Sequence, residues 1–293
     1  MKKLKLIIGL MAVMLGVTGC QYEQVGLVPM NIGFKPYIGH DTRVVMEAAP
    51  FPEDRSFNVW AWEDKTHALY INKETIQSSE QGWNSEYMWP QTALNFVACW
   101  PENIGFTYTE NKGVGLTGFD TLDEEVDLLV AKAERVDNTM DRFVTLGFEH
   151  ILSRVEFRMR QSLSNEMTVR VKRIQLDGFA TKGDFNTTGN YKWTTYDHSH
   201  SYVLDVTDDP VTIDSEPIYM GSDFYVVPQT VRATLTVDFE VKYGEAAWVP
   251  LQEKIQNFVI DWVSGTHYTY TLNLTDTNLT YTTGISNWNN RAE

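Results

Sequence analysis

Alternation of apolar and polar side chains with a period of two is the feature that most constrains how this chain can fold. Such a period places successive side chains on opposite faces of an extended strand, whereas a helix requires a period near 3.6. The clearest run places Leu235, Val237, Phe239 and Val241 on one face, and segments 154–160 and 268–275 alternate in the same way. The sequence therefore predicts antiparallel strands with one polar face.

Two further segments, Phe57–Trp62 and Leu94–Trp100, are apolar on both faces, which predicts strands that are covered on each side. Only the polar stretch 133–142 is compatible with a short helix. Turn signals separate the strands at short intervals: Asp177-Gly178, Lys182-Gly183-Asp184, Thr188-Gly189-Asn190 and Ser264-Gly265. These features predict an all-β protein of sandwich architecture.

The N-terminus carries an export signal. Three lysines precede an apolar run from Leu6 to Val17 that is too short to span a bilayer. The run ends in Val17-Thr18-Gly19-Cys20, which resembles the lipobox of bacterial lipoproteins. We therefore expect a signal peptide over residues 1–19 and acylation of Cys20. The alternative is an ordinary cleaved signal, with Cys20 paired to Cys99 in a disulfide.

Composition narrows the class of protein further. Two cysteines make no disulfide framework, so a hydrophobic core must stabilise the fold. Removing the signal takes three of the 24 basic residues, and the remaining 21 face 39 acidic residues, a formal charge of −18. This charge argues against a nucleic-acid partner and against attraction to anionic lipid, so the acyl chains must provide the attachment to the outer membrane. We place the domain boundary near Gly147, between domains 20–147 and 148–293, because the mature length exceeds one ordinary sandwich.

Catalytic motifs are absent from the sequence: there is no nucleophile elbow, phosphate-binding glycine loop or dinucleotide fingerprint. We expect no enzyme activity, no metal and no cofactor. His198 and His200, beside Asp197, have a spacing that suits a metal, although a solvated loop is the alternative. His150, between apolar neighbours, is interpreted as a hydrogen-bonded core or interdomain residue rather than a catalytic base.

One acidic cluster and one group of tryptophans each have a functional and a structural interpretation. Asp123-Glu124-Glu125 and the nearby Asp127 suit paired carboxylates for glycoside hydrolysis or calcium, or else form a solvated face. Trp83, Trp89 and Trp193 lie in turn-rich surroundings, where tryptophan stacks on sugars or packs in a core.

Several sequence segments are spread across nearly the whole chain: the lipobox at Cys20, Met30–Phe34 with Asp41–Arg43, Ser56–Trp62, Asp127–Ala131, Phe148–Glu156, Phe224–Gln229, Gly265–Leu274 and Ile285–Trp288. In their order and spacing, these segments resemble the fimbrillin family of pilus subunits and surface lipoproteins of Bacteroides-type bacteria.

The resemblance implies two tandem transthyretin-like (Greek-key) β-sandwich domains and export as a lipoprotein. In many members a trypsin-like protease removes the first strand, and a strand of the next subunit fills the groove by donor-strand complementation. Other pilus subunits are then the partners. Here the removable strand is Val28–Ile38, with cleavage at Arg43 or, as a second choice, at Arg55; the alternative is that neither is cut.

The donor implied by the resemblance is the segment Leu279–Trp288, unless this segment completes its own domain. Asp120-Thr121-Leu122 also resembles the O-glycosylation motif of these bacteria. We therefore expect a structural or adhesive fimbrial subunit at the cell surface. The alternative is a monomeric surface glycan-binding lipoprotein, and a hydrolase is the third hypothesis.

Overall fold

The computed structural model describes residues 30–39, 41–42, 45–46, 49–139, 143–163, 166–189, 191–221 and 223–288. The predicted signal peptide, Cys20 and Arg43 lie outside these ranges. Within them, the all-β prediction is confirmed. None of the helices in these ranges has the length and apolar character to cross a membrane.

The described residues form twenty-four strands and one four-residue helix, α1 (Thr121–Glu124). The strands of the first half are β1 Asn31–Ile38, β2 Asp41–Thr42, β3 Val45–Met46, β4 Ala49–Pro50, β5 Ser56–Glu63, β6 Leu69–Ser79, β7 Gly82–Met88, β8 Leu94–Trp100, β9 Thr107–Thr109, β10 Gly113–Asp120, β11 Leu129–Val136 and β12 Phe143–His150.

The strands of the second half are β13 Ser153–Gln161, β14 Met167–Phe179, β15 Lys182–Asn186, β16 Lys192–Tyr196, β17 His200–Asp205, β18 Val211–Ile213, β19 Ile218–Tyr219, β20 Phe224–Val226, β21 Gln229–Tyr243, β22 Val249–Trp262, β23 Thr266–Leu274 and β24 Leu279–Asn287.

Seven strands of the first half close into a barrel, in the order β12-β11-β8-β5-β6-β7-β1, with β1 pairing back to β12. Aromatic and branched side chains fill its interior, including Phe34, Phe57, Phe96 and Phe148. A sandwich, as predicted, would leave two separate sheets with open edges. The expectation of two tandem transthyretin-like sandwiches is therefore not confirmed, because the first sheet closes on itself.

The second half forms a sandwich of two sheets. One has the order β19-β13-β23-β24, with β20 also on β13, and the other has β17-β14-β21-β22, with β18 also on β14. The three alternating runs supply its core, because Val155, Leu235 and Leu272 are fully buried and pack into the same cluster. The period-two prediction is confirmed for each of them.

A smaller four-stranded sheet joins the two halves, and we call it the third sheet because it is described after the barrel and the sandwich. It has the order β16-β15-β10-β9, and Leu116 of β10 pairs with Phe185 of β15. A third core lies between this sheet and the outer face of the barrel, where it buries Trp60, Val97 and Cys99. Strands β5 and β8 are therefore covered on both faces, as their apolar sequences predict. The division into domains at Gly147 stays a prediction: Gly147 lies inside β12.

Three local predictions are wrong. No helix forms over 133–136, because these residues continue β11 and pair with β8, while α1 forms earlier, where Asp120 caps it by accepting from Leu122 N at 3.1 Å. Asp177-Gly178 is a bulge inside β14, with a φ of 92° at Gly178. Gly183 lies within β15, where a Cβ would meet Trp193 at 3.0 Å, so this glycine permits close packing instead of a turn.

Candidate assembly interface

The first strand, β1, occupies a central place in the barrel. It runs antiparallel to β7, where Phe34 pairs with Trp83, and parallel to β12 from Gly33↔Phe143 to Ile38↔Phe148. A short antiparallel contact with β4 joins Ile38 to Ala49. Main-chain pairing on both sides means that removing β1 would expose the hydrogen-bonding edges of β7 and β12 at once.

Three side chains of β1 point into the barrel core: Ile32, Phe34 and Ile38, which are 0%, 2% and 0% exposed. The ring of Phe34 makes edge-to-face contacts with Phe57 and Phe96, with ring centroids 6.2 and 6.0 Å apart. Full burial of such side chains contributes about 1.5–3 kcal/mol each. The strand is therefore an integral part of the hydrophobic core.

The seam between β1 and β12 has a reciprocal pattern of glycine and aromatic residues. A Cβ on Gly33 would lie 2.6 Å from the Phe143 ring, and a Cβ on Gly147 would lie 2.6 Å from the Tyr37 hydroxyl. Each glycine is the register partner of the aromatic residue that covers it. This arrangement fixes the register of two parallel strands that no short turn connects.

The two predicted cleavage positions differ in their surroundings. Arg43 lies outside the described residues, between β2 and β3, which pair as a short ladder. Arg55 is exposed, and its guanidinium carbon lies 5.7 Å from the centre of the Trp100 ring. Arg55 directly precedes β5, whose first residue, Ser56, is 9% exposed.

The predicted donor segment lies in its own sandwich. Strand β24 pairs with β23 along its whole length, from Leu274↔Leu279 to Thr266↔Asn287. In the described part of the chain, β24 is an edge strand, because its other side pairs with no strand. Its side chains become more exposed toward its C-terminal end, reaching 69% at Ile285.

A buried aromatic stack contains the last residue of the donor segment, Trp288. Trp288 is 2% exposed and stacks on His150 with ring centroids 4.2 Å apart, and on Tyr225 at 5.3 Å. His150 Nδ1 lies 3.0 Å from Asp127 Oδ1. The interpretation of His150 as a hydrogen-bonded buried residue is confirmed. Asp127 is itself fully buried, so it does not belong to a solvated acidic face.

The other candidate residues lie on separate elements of the fold. His198 lies in an exposed turn and His200 begins β17, with its Nε2 3.4 Å from Asp197 Oδ2. Asp123, Glu124 and Glu125 are exposed at α1. The three tryptophans of the sugar-stacking hypothesis pack against cores: Trp83 and Trp89 at the barrel, and Trp193 between the barrel and the third sheet.

One charged cluster was missed by the sequence reasoning. Glu156, Asp223 and His267 bring one ligand atom each within 4.8 Å of one another, a geometry that could hold a cation. Arg154 binds Asp223, and Arg158 Nε lies 2.7 Å from Glu156 Oε1, so arginines neutralise both carboxylates. The alternation of Arg154, Glu156 and Arg158 was visible in the sequence, but the contribution of β23 was not.

Solved structures with a similar fold include fimbrial and cell adhesion proteins. A fimbrial protein from Bacteroides vulgatus has a similar fold, with a TM-score of 0.64 and 14% identity over 88% of this chain and 99% of that one. A candidate cell adhesion protein from Parabacteroides distasonis matches with a TM-score of 0.56 and 10% identity, over 87% of this chain and 97% of that one. A candidate cell adhesion protein from Bacteroides ovatus matches with a TM-score of 0.55 and 16% identity, over 89% of this chain and 98% of that one.

The barrel, sandwich and joining sheet therefore place the chain in the fold class of these β-rich proteins. A model of the family described as Fimbrillin-like matches residues 42–288, most of the chain. The chain belongs to the fimbrillin-like family, which confirms the resemblance. A search of curated proteins finds no significant match.

Proposed function

We propose that the protein is a structural, adhesive pilus subunit that is exported as a lipoprotein through Cys20 and polymerises by donor-strand complementation. The observation that carries this proposal is the position of β1. This strand lies between β7 and β12 and closes the barrel by pairing with both. A strand of another subunit that replaced β1 would recover main-chain hydrogen bonds on both sides and a set of core pockets. Because donor and groove are different surfaces, the contact would propagate a filament.

Loss of β1 supplies the driving force for replacement. Three buried side chains leave the core with this strand, and at about 1.5–3 kcal/mol each their loss costs about 5–9 kcal/mol of hydrophobic stabilisation. A barrel that lacks one strand also exposes two unpaired edges, which are templates for another strand. The processed chain is therefore expected to be active in assembly, while the intact chain is a self-complemented precursor.

Cleavage after Arg43 suits this mechanism better than cleavage after Arg55. A cut at Arg43 removes β1 and leaves Phe51, which is 2% exposed and contacts Phe57 and Phe148 with centroids 5.4 and 4.8 Å apart. A cut at Arg55 would remove Phe51 as well. It would also require a protease to bind the chain at the start of β5, which is paired with β6 and β8.

The side chains of the C-terminal strand support its role as donor. The core-facing residues of β1 have the spacing i, i+2 and i+6, and the same spacing recurs in Leu279, Tyr281 and Ile285 of β24. Aligned in this register, an aromatic residue again occupies the middle pocket. Release of β24 would uncover Tyr281, whose ring centroid lies 4.6 Å from that of Phe258. Strand exchange is therefore expected only where binding in an open groove restores the lost burial.

Two finer parts of the proposal concern organisation. The chain would divide near Gly147 into an N-terminal domain that accepts the donor strand and a C-terminal domain that provides it. Before processing, acyl chains on Cys20 would hold the subunit on the outer membrane. The monomeric glycan-binding alternative rests on Trp83, Trp89 and Trp193, which are half-buried and pack against cores.

Treatment of the purified protein with a trypsin-like protease tests the proposal, with polymers detected as ladders on unheated SDS gels. The wild type and the R55A variant are expected to form ladders, whereas R43A is expected to stay monomeric. Ladders from R43A without loss of residues 20–43, or none from processed wild type, would refute the mechanism.

A further inference from the structure

A cleft of about 390 Å³ opens where the third sheet meets the outer face of the barrel. Its floor comes from β5, β8 and β11, and its walls come from the β9–β10 turn and the turn after β15. Lys132 holds the second wall in place, because its Nζ donates to Gly189 O at 2.7 Å and lies 4.5 Å from the Tyr191 ring centre. The volume falls in the range of small-molecule sites, about 300–1,000 Å³. We name it the Trp62 cleft.

Two aromatic rings form the apolar side of the Trp62 cleft. Trp62 of β5 and Tyr108 of β9 lie with ring centroids 5.5 Å apart and planes inclined by 38°. Both rings are half-buried, so part of each remains accessible from the cleft. Burial, together with the charge of Glu110, raises the pKa of Tyr108, so its hydroxyl stays protonated and is able to donate a hydrogen bond.

Three polar side chains, those of Asp64, Asn95 and Arg135, also line the cleft. Asn95 Nδ2 donates to Asp64 Oδ1 at 3.3 Å, and Asp64 Oδ2 lies 3.5 Å from Arg135 Nε. Asn95 Oδ1 in turn accepts from the backbone N–H of Arg135 at 2.9 Å, which holds Arg135 in a left-handed conformation with a φ of 56°. Donors and acceptors are thus held side by side in the lining of the cleft.

The charges and edges of the cleft exclude several ligand classes. Asp64 and Glu134 balance Lys132 and Arg135, so phosphate groups gain no net attraction. Strands β5 and β8 are each paired on both sides, so within the described part of the chain neither offers a free sheet edge to an extended peptide. A neutral ring with one C–H face and a rim of hydroxyl groups matches both the aromatic rings and the three polar side chains.

We propose that the Trp62 cleft binds a neutral saccharide, whose C–H face packs on Trp62 and Tyr108 while its hydroxyls bond to Asp64, Asn95 and Arg135. This function goes beyond assembly and does not depend on strand exchange. It would give each subunit a lectin-like contact with a surface glycan.

Saturation-transfer-difference NMR on the purified full-length protein tests this proposal. The probes are free glucose, galactose, mannose, fucose and N-acetylglucosamine, with N-acetylneuraminate as the anionic comparison. At least one neutral sugar is expected to give signals. W62A is expected to abolish them, and D64N and R135A to weaken binding about tenfold or more, because each removes a hydrogen bond to a charged group.

Matched controls separate binding from folding. Arg135 is 77% exposed, so R135A is expected to fold normally even if W62A does not. W248A removes a half-buried tryptophan that packs on Arg170, far along the chain on the C-terminal sandwich, and should bind as the wild type does. The proposal is overturned if no neutral sugar binds, if only N-acetylneuraminate binds, or if D64N and R135A bind as W248A does.

Discussion

The ring of Phe143 covers Gly33 from the neighbouring parallel strand, so closely that a Cβ on Gly33 would lie 2.6 Å from Phe143 Cδ1. Gly147 and Tyr37 repeat this relationship with the roles of the strands exchanged. The barrel is therefore closed by a seam in which each strand supplies one glycine and one aromatic residue. This seam holds the strand whose removal we propose as the step that starts assembly.

Substitution of Gly33, one of the two seam glycines, should destabilise the barrel. We expect G33A to lower the free energy of unfolding by about 1–3 kcal/mol, because the added methyl group collides with the Phe143 ring. Chemical denaturation measures the change. G105A is the control, since nothing lies within 4 Å of its new Cβ, and it should change stability by less than about 0.5 kcal/mol. Equal effects of G33A in wild-type and F143A backgrounds would contradict the proposed collision.

Truncation of the central core residue of β1 should affect only the precursor. F34A is expected to lower the stability of the intact chain by about 3–5 kcal/mol, because it empties a pocket between Phe57 and Phe96. Polymers assembled after cleavage should melt as wild-type polymers do, since they no longer contain residue 34. K35A, on the exposed face of the same strand, is the control. A polymer weakened by F34A would show that β1 is retained.

A charge on the donor strand should block assembly without harming the fold. Ile285 is 69% exposed, so I285D should leave the melting temperature of the intact protein nearly unchanged. In a filament the same side chain would enter a core pocket, where an unpaired carboxylate is costly. Size-exclusion chromatography after proteolysis should show monomer for I285D and polymer for S286D, whose side chain points to the other face. Polymer from I285D would exclude β24 as the donor in this register.

The buried thiol offers a test of the core between the barrel and the third sheet. Cys99 is free and fully buried, and this burial raises the pKa of its thiol well above the usual value. In a C20S variant, we expect no reaction with a thiol reagent in the native state and one reactive thiol in denaturant. Rapid native reaction would mean that the third sheet does not cover β8.

Local patterning predicted much of this fold. Alternation identified the strands of the sandwich core, such as β21 and β23, because each has one buried and one polar face. The two-sided burial of β5 and β8 followed from apolar residues at consecutive positions. These predictions depend only on neighbours along the chain, which the sequence displays directly.

Long-range pairing accounts for what the sequence did not predict. Closure of the barrel rests on parallel pairing of β1 with β12, which lie more than one hundred residues apart and share no turn signal. The Trp62 cleft likewise combines Trp62 with Tyr108 and Arg135, from three separate strands. Glycines misled the turn predictions, because Gly178 serves a bulge and Gly183 a close contact.

The N-terminus and mass of the protein taken from filaments of its native cell envelope show whether β1 is removed on assembly. We expect the assembled subunit to begin at Val44 and to carry no lipid, because β1 has been removed to open the groove. Subunits that all begin at an acylated Cys20 and retain β1 would contradict this expectation.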